Sequence, residues 1–360
     1  MLASGEEQMG LIVNRRVYSL AAIVIGVAVF LFGHILGNRV WLFAISGIAT
    51  VLLAKVIGDA TERLSKHFGS VLGALLGITF GNSVELILSL FALYQGLYTV
   101  VKASIIGSVL ANLLLTLGVS MMVGGGAKGV QQFNRRRAGL NSAMLFVAVI
   151  GLTTASVFSF LRFRTSGTEA LSVGVAAVFL LVYVGGFFFS FLTHRTFLAE
   201  LSGEGEPVKA SPILEFLLLF AATVAVALVS DQLVATIEPV AVHLRLSQQF
   251  IGLVFLPLIG VAPEFFAALT FARNGEMEGS VESAVGSSLQ ISLFVAPLLV
   301  IVGLFMGRTL TLVFTPAQVT VLFLSTILVN IVSLDGETHW FEGVMVVATY
   351  VIFALMFFLA

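Results

Sequence analysis

The chain has no cysteine, and only 10% of its 360 residues are charged. Without cysteine there are no disulfides and no thiolate metal sites, and cysteine usage says nothing of the redox compartment. The scarcity of charge is more decisive. A soluble domain carries about 25% charged residues, so this chain cannot cover itself with a water-facing surface. There is no basic patch for nucleic acid, and the net charge of −1 points to no partner. Also missing are ten-residue segments of alternating polarity, which a membrane barrel needs.

What is present is a set of apolar runs of about twenty residues, the length of a bilayer-spanning helix. With the backbone in lipid, every N–H and C=O needs an internal partner, which helices provide. The runs lie at 17–37, 40–58, 70–95, 100–125, 139–161, 171–192, 212–237, 248–274, 280–306, 312–333 and 341–359. They predict an all-α polytopic membrane protein of about eleven transmembrane helices. Arg15 and Arg16 precede the first run; with no small-residue cleavage site after it, the run reads as a retained span rather than a signal peptide.

A cytoplasmic N-terminus sends twelve Lys and Arg residues inside and leaves six outside, in keeping with the positive-inside rule. The run Arg135-Arg136-Arg137 is the main anchor. An odd number of spans places the C-terminus on the opposite side. The longest interior break, 193–211, holds Glu200, Glu204, Glu206 and Pro207. It reads as an acidic, solvated cytoplasmic linker.

The two sides of that linker are related. Gly81-Asn82-Ser83-Val84-Glu85 aligns with Gly260-Val261-Ala262-Pro263-Glu264 at an offset of 179 residues, and Ser104–Leu110 aligns with Ser283–Leu289 at the same offset. The predicted organisation is therefore an N-terminal segment and first span (1–37), a first five-helix repeat (38–192), the linker (193–211) and a second five-helix repeat (212–360). Five is odd, so the second repeat enters the membrane inverted. Inverted repeats of this kind place a substrate site at mid-membrane on their interface.

Of the nineteen acidic residues, only Glu85 and Glu264 fall well inside predicted spans. A charge at the bilayer centre costs at least about 2.5 kcal/mol, and residues that bear it face the bundle interior. A single such carboxyl could be a neutral structural group bonded between helices. Two that share one offset point to a binding site. Asn82, three residues before Glu85, and Ser89, four after it, share its helix face. Ser108 and Asn112 lie four apart, and Ser287, Ser288 and Gln290 crowd one turn. Each serine can equally mark helix packing, whereas the buried amides Asn112 and Gln290 need partners. Pro257 and Pro263 free the helical carbonyls of Leu253 and Ile259, and Gly77 and Gly81 loosen the first half. The carbonyls of Gly81 and Gly260 are candidate ligands beside the acids.

Oxygen ligands, with no thiolate and no mid-span histidine, suit hard cations: Ca2+, Na+ or Mn2+. Two carboxylates in low dielectric cannot both stay charged when the site is empty, so a cation must displace protons to bind. Exchange of cation for protons follows, by alternating access. Glu282 opens the ninth span, where a helix N-terminus favours an acid; the other reading is a third pathway acid. Lys102, Glu215 and Asp231 fall near span ends and read as snorkelling groups. A channel would need a continuous hydrated path, and an intramembrane aspartyl protease two mid-span aspartates, whereas Asp59, Asp231 and Asp335 lie at span ends or in loops. No enzyme activity and no resident cofactor are expected, only transported ions and the lipid around the chain.

The block Gly81-Asn82-Ser83-Val84-Glu85-Leu86-Ile87 resembles the first repeat motif of the cation/proton exchangers in the calcium/cation antiporter superfamily. Gly286–Pro297 is similar to the helix after that family's second motif, and Ser108–Leu117, with Asn112, to its first-half partner. The resemblance runs over nearly the whole chain. It implies Ca2+/H+ antiport, with Glu85 and Glu264 as the shared cation- and proton-binding carboxylates. One departure stands out: Val261 and Phe265 occupy positions where that family usually has Asn and His, and Pro263-Glu264 is closer to what sodium/calcium exchangers show. Na+/Ca2+ exchange and Na+ or Mn2+ export against protons are the alternative readings.

Overall fold

The computed structural model describes residues 5–161, 167–188 and 211–360; the acidic linker predicted at 193–211 lies outside the described residues but for Ser211. The helices are α1 (Gly5–Phe32), α2 (Arg39–Phe80), α3 (Ser83–Tyr94), α4 (Tyr98–Leu110), α5 (Leu117–Lys128), α6 (Arg135–Phe160), α7 (Thr168–Phe188), α8 (Pro212–Ala235), α9 (Ile237–Leu244), α10 (Gln248–Phe250), α11 (Leu256–Gly260), α12 (Ala262–Asn274), α13 (Met277–Gln290), α14 (Ala296–Phe305), α15 (Pro316–Val332) and α16 (Trp340–Leu359). Wider π turns at Ala111–Thr116, Ile251–Phe255 and Ile291–Val295 link α4 to α5, α10 to α11 and α13 to α14 without ending the rod. A two-residue antiparallel ladder, Gln131 opposite Thr338 and Gln132 opposite Glu337, ties the loop after α5 to the loop before α16.

Among the described residues, seven helices are long and apolar enough to cross a membrane, and α10–α11 with α12, bent by 55°, make an eighth. Arg16–Phe32, Ser83–Tyr94 and Pro316–Val332 are apolar but shorter. The chain is therefore a multi-pass helical membrane protein. Its outward faces carry Val24, Leu181, Ile213, Phe220 and Ile352, all exposed. Both tryptophans, Trp41 and Trp340, are exposed in the first turn of a helix, where indole rings anchor at the membrane–water boundary.

Helix α2 is not a straight rod. Ser65 Oγ donates to Gly73 O at 2.8 Å, whereas eight residues of straight helix rise about 12 Å. The chain must reverse between them, which separates the predicted runs 40–58 and 70–95. Local chemistry sets other ends. Asn38, the polar interruption between the first two runs, accepts from Val40 N at 2.9 Å and Trp41 N at 3.4 Å and starts α2. Asn134 caps α6 in the same way.

In lipid, helices associate through close packing of small residues. The π turn at Ile251–Phe255 lies against α4: a Cβ at Gly107 would clash with Leu253 O, and one at Gly252 would sit 2.8 Å from Val100 O. Gly118 on α5 and Gly343 on α16 face each other as tightly. Helix α8 packs along α2, and α12 packs on α13 and α5.

Three expectations need correction. Glu282 does not open its helix but is the sixth residue of α13, past the first turn. The runs 70–95 and 248–274 read as spans with a glutamate in mid-helix. In fact the helix ends before each acid, at Gly81–Asn82 and at Val261. Pro263 accounts for the second break, because a proline N cannot close the helical bond. In the first half, where glycine alone is expected only to loosen the helix, Gly81 and Asn82 interrupt it fully. Glu215, which reads as a snorkelling end group, is buried and accepts from Arg63 Nε at 2.7 Å; the pair joins α8 to α2.

Candidate functional site

The two breaks build the site. Glu85 is the third residue of α3 and Glu264 the third residue of α12. The first turn of a helix has unpaired N–H groups and a positive dipole end, which favour a carboxylate. At each break the bond that a continuous helix would form, from the glutamate N–H to the carbonyl of Gly81 or Gly260, is not made. Each acid thus has a carbonyl without its helical partner four residues before it. The carbonyl of Leu253, also expected to be freed, is turned against Gly107 instead.

The halves meet here. A Cβ at Gly260 would lie 2.8 Å from Glu85 Cγ and 3.2 Å from Cδ, so the Glu85 side chain rests on the backbone that leads to Glu264. Asn82 Nδ2 donates to Gln290 Oε1 at 2.5 Å, a contact between residues 208 apart in sequence. Ser283 Oγ donates to Glu264 O at 3.4 Å. The π turn that carries Asn112 packs against α12 and α13.

Among the described residues, Glu85 Oε1 and Oε2, Glu264 Oε2, Asn82 Oδ1 and both amide atoms of Asn112 are buried without a hydrogen-bond partner. Buried polar atoms in native proteins are almost always paired. Carboxylate and amide oxygens, like backbone carbonyls, are the donor type that binds hard cations.

Not every predicted residue serves alike. Ser288 donates to Ala284 O at 2.9 Å, within its own helix. Ser89, expected on the face of Glu85, is paired with Ser104 at 3.3 Å. Ser108 is buried on α4, one turn before Asn112, and Ser287 is buried on α13, just before Gln290. Two contributors were not singled out in the sequence: Ser283, and the bare surface of Gly260. A glycine inside a span carries no signal that separates helix packing from room for a ligand group.

The surface at Gly260 gives a direct test. Gly260→Ala puts a methyl where Glu85 now lies. Ion-exchange activity is expected to fall about tenfold or more, the scale seen when groups that orient metal ligands are disturbed. The methyl must push Glu85 aside, so the thermal midpoint is expected to fall modestly as well; wild-type activity in the variant would refute the contact.

A family model described as "Sodium/calcium exchanger protein" matches residues 38–192 and 214–359. The chain is 40% identical over 324 residues to the Ca(2+)/H(+) antiporter ChaA of Bacillus subtilis, covering 88% of this chain and 92% of that one. It is 38% identical over 351 residues to a Ca(2+)/H(+) antiporter of Aphanothece halophytica, covering 92% and 94%. Among solved structures, native YfkE matches with a TM-score of 0.82 at 36% identity, over 96% of this chain and 99% of that one.

Proposed function

The chain belongs to the sodium/calcium exchanger family, and from that membership we propose that it exchanges Ca2+ for H+, cation and protons competing for Glu85 and Glu264. The observation that carries the reading is the seating of Glu85 on Gly260, which brings the acid of the first half against the backbone four residues before the acid of the second. The counter-ion follows from the relatives. Those matched over nearly their whole length are named for protons, which favours H+ over the Na+ suggested by Pro263-Glu264.

The architecture proposed is eleven crossings, with α2 supplying two of them and the paired rods α4–α5, α8–α9, α10–α12 and α13–α14 one each. The first crossing stands apart from two inverted five-helix repeats, 38–192 and 212–360. Three features support this: the family model matches in two stretches with nearly those limits, the helix breaks recur at Gly81–Asn82 and at Val261, and π turns recur at Ala111–Thr116 and Ile291–Val295. The N-terminus is placed in the cytoplasm, with the Arg135–Arg137 end of the bundle.

Alternating access is supported by an inequality between the halves. Gly107 is jammed against Leu253 and Pro257, whereas Gly286, its counterpart at the offset of 179, meets nothing within 4 Å among the described residues. This fits a state open towards Arg135 and shut towards the opposite end, where Arg308 follows α14 and lies beside Gly96. The test is Ca2+ uptake into vesicles holding the purified protein, driven first by a pH gradient and then by a Na+ gradient. Uptake is expected with the pH gradient alone; uptake only with Na+ would overturn the proton assignment.

A further inference from the structure

Helix α13 has one accessible stripe. Glu278, Glu282, Gly286 and Gln290, spaced four apart, are each partly exposed, as are Gly279 and Ser283 beside the first two, while Ala284, Val285, Ser287, Ser288 and Leu289 are buried. At its outer end Arg137, a buried residue of α6, donates from Nη1 to Glu278 Oε1 at 2.8 Å. One turn further in, Asn141 Nδ2 donates to Glu282 Oε2 at 3.1 Å. Each step of four residues climbs about 6 Å. The stripe then passes the open surface of Gly286 and ends at Gln290, bonded to Asn82, whose Oδ1 is buried and unpartnered.

Glu282 lies two turns short of Gln290 and beside the backbone of Glu264, since its neighbour Ser283 reaches the Glu264 carbonyl. Its partner Asn141 is a neutral amide, which orients the carboxylate without cancelling its charge. A carboxylate facing lipid at this depth would be costly, so the exposed part of the stripe borders water. The corresponding positions of the first half differ: Ala103, Gly107 and Ala111, the counterparts of Glu282, Gly286 and Gln290, are all buried and carry no charge.

We propose that Glu282 is a stepping carboxylate on the path between the Arg135 side and Glu264, which holds the incoming cation, still partly hydrated, before it reaches the site. Arg137 bonds to Glu278 and also attracts Glu282, so two carboxylates share one guanidinium and the three groups together keep a net negative charge that attracts a cation. The inference rests on the exchanger reading above and assigns that reading a residue on one side only.

Two measurements test it. In vesicles, Glu282→Gln is expected to raise the Ca2+ concentration for half-maximal uptake about three- to tenfold, the scale of one carboxylate acting on a divalent ion across roughly 10 Å of polar surroundings. Half-saturation should rise by more than the maximal rate falls, and Glu282→Asp should restore most of it. Separately, the native chain lacks cysteine, so Glu282→Cys offers a single thiol. It is expected to react with a charged, membrane-impermeant thiol reagent from the Arg135 side only, more slowly when Ca2+ is present. An unchanged half-saturation in Glu282→Gln, or a thiol unreactive from that side, would overturn the proposal. Labelling is read without transport, so one-sided labelling in a protein that moves no Ca2+ would indict the exchanger reading, and the stepping role with it.

Discussion

Glu264→Gln, and equally Glu85→Gln, is expected to abolish exchange, with a loss of at least about 100-fold. Even groups that only orient a metal ligand cost about 10–100-fold when removed, and these two side chains are the ligands themselves. Gln keeps the shape and loses the charge and the exchangeable proton. It can therefore neither balance a divalent cation nor carry a proton back through the closed bundle. The same change should leave stability unaltered or improved. Both glutamates are buried, and both carboxyl oxygens of Glu85 and Oε2 of Glu264 have no partner among the described residues; a neutral amide there never meets the desolvation cost of an ionised carboxylate. Inactivity with an undiminished thermal midpoint separates a transport role from a structural one. Near-normal exchange by either variant would defeat the two-carboxylate site. A pair of unequal variants, one dead and one active, would leave only one shared ligand.

The second large effect is on pH. If an empty site holds protons that the cation must displace, binding is linked to proton release. The sign then follows: lowering pH opposes Ca2+ binding, and raising pH favours it until the empty site no longer holds protons. Over the range in which the empty site is protonated, apparent affinity should change about tenfold per pH unit for one displaced proton and about 100-fold for two. Calorimetric titration with Ca2+ at several pH values reads the slope. Glu85→Gln should lower it by one proton if enough affinity survives to measure. An affinity that does not move with pH would mean that the protons travel elsewhere, whatever the rate data show.

The parts of this site differ in how plainly the sequence displays them. Glu85 and Glu264 stand out because lipid makes an isolated charge costly, and because Gly81–Glu85 and Gly260–Glu264 share an offset with the serine-rich blocks behind them. Contacts between the halves are not visible in that way. Asn82 and Gln290 are both polar residues inside apolar runs, but that they bond to each other depends on how α3 and α13 cross. The pairing of Arg63 with Glu215 is hidden for the same reason, and a residue near the end of a span reads as snorkelling until its neighbour is known. The break at Gly81–Asn82 is hard to foresee because neither residue forbids helix as proline does. The π turns leave no mark that separates them from the helix that follows: Ile251–Phe255 and Ile291–Val295 are as apolar as Leu256–Gly260 and Ala296–Phe305. The run Arg135–Arg137 reads as a single anchor, yet only its first two members are exposed, while Arg137 is drawn inward to Glu278.

These differences bear on mechanism. A mid-helix glutamate would have its backbone tied into the rod. A glutamate in the first turn of a helix that starts at a break has free N–H groups beneath it and an unpaired carbonyl beside it. Such a position accommodates the charged carboxylate when the cation is bound and the neutral acid when it is not. The break before each acid therefore supplies what the composition of the spans does not: polar backbone in the middle of an apolar bundle, at the same place in both halves.

The most direct test of the shared site is the count of protons released when Ca2+ binds. It can be made on the purified protein in weakly buffered detergent solution, with a pH indicator, at a pH where the empty site is protonated. Two protons per bound Ca2+ are expected for the native chain, and none for the doubly substituted Glu85→Gln, Glu264→Gln protein at the same Ca2+ concentration. Ca2+ binding by the native chain without proton release would contradict the central claim that cation and protons compete for this pair of carboxyls.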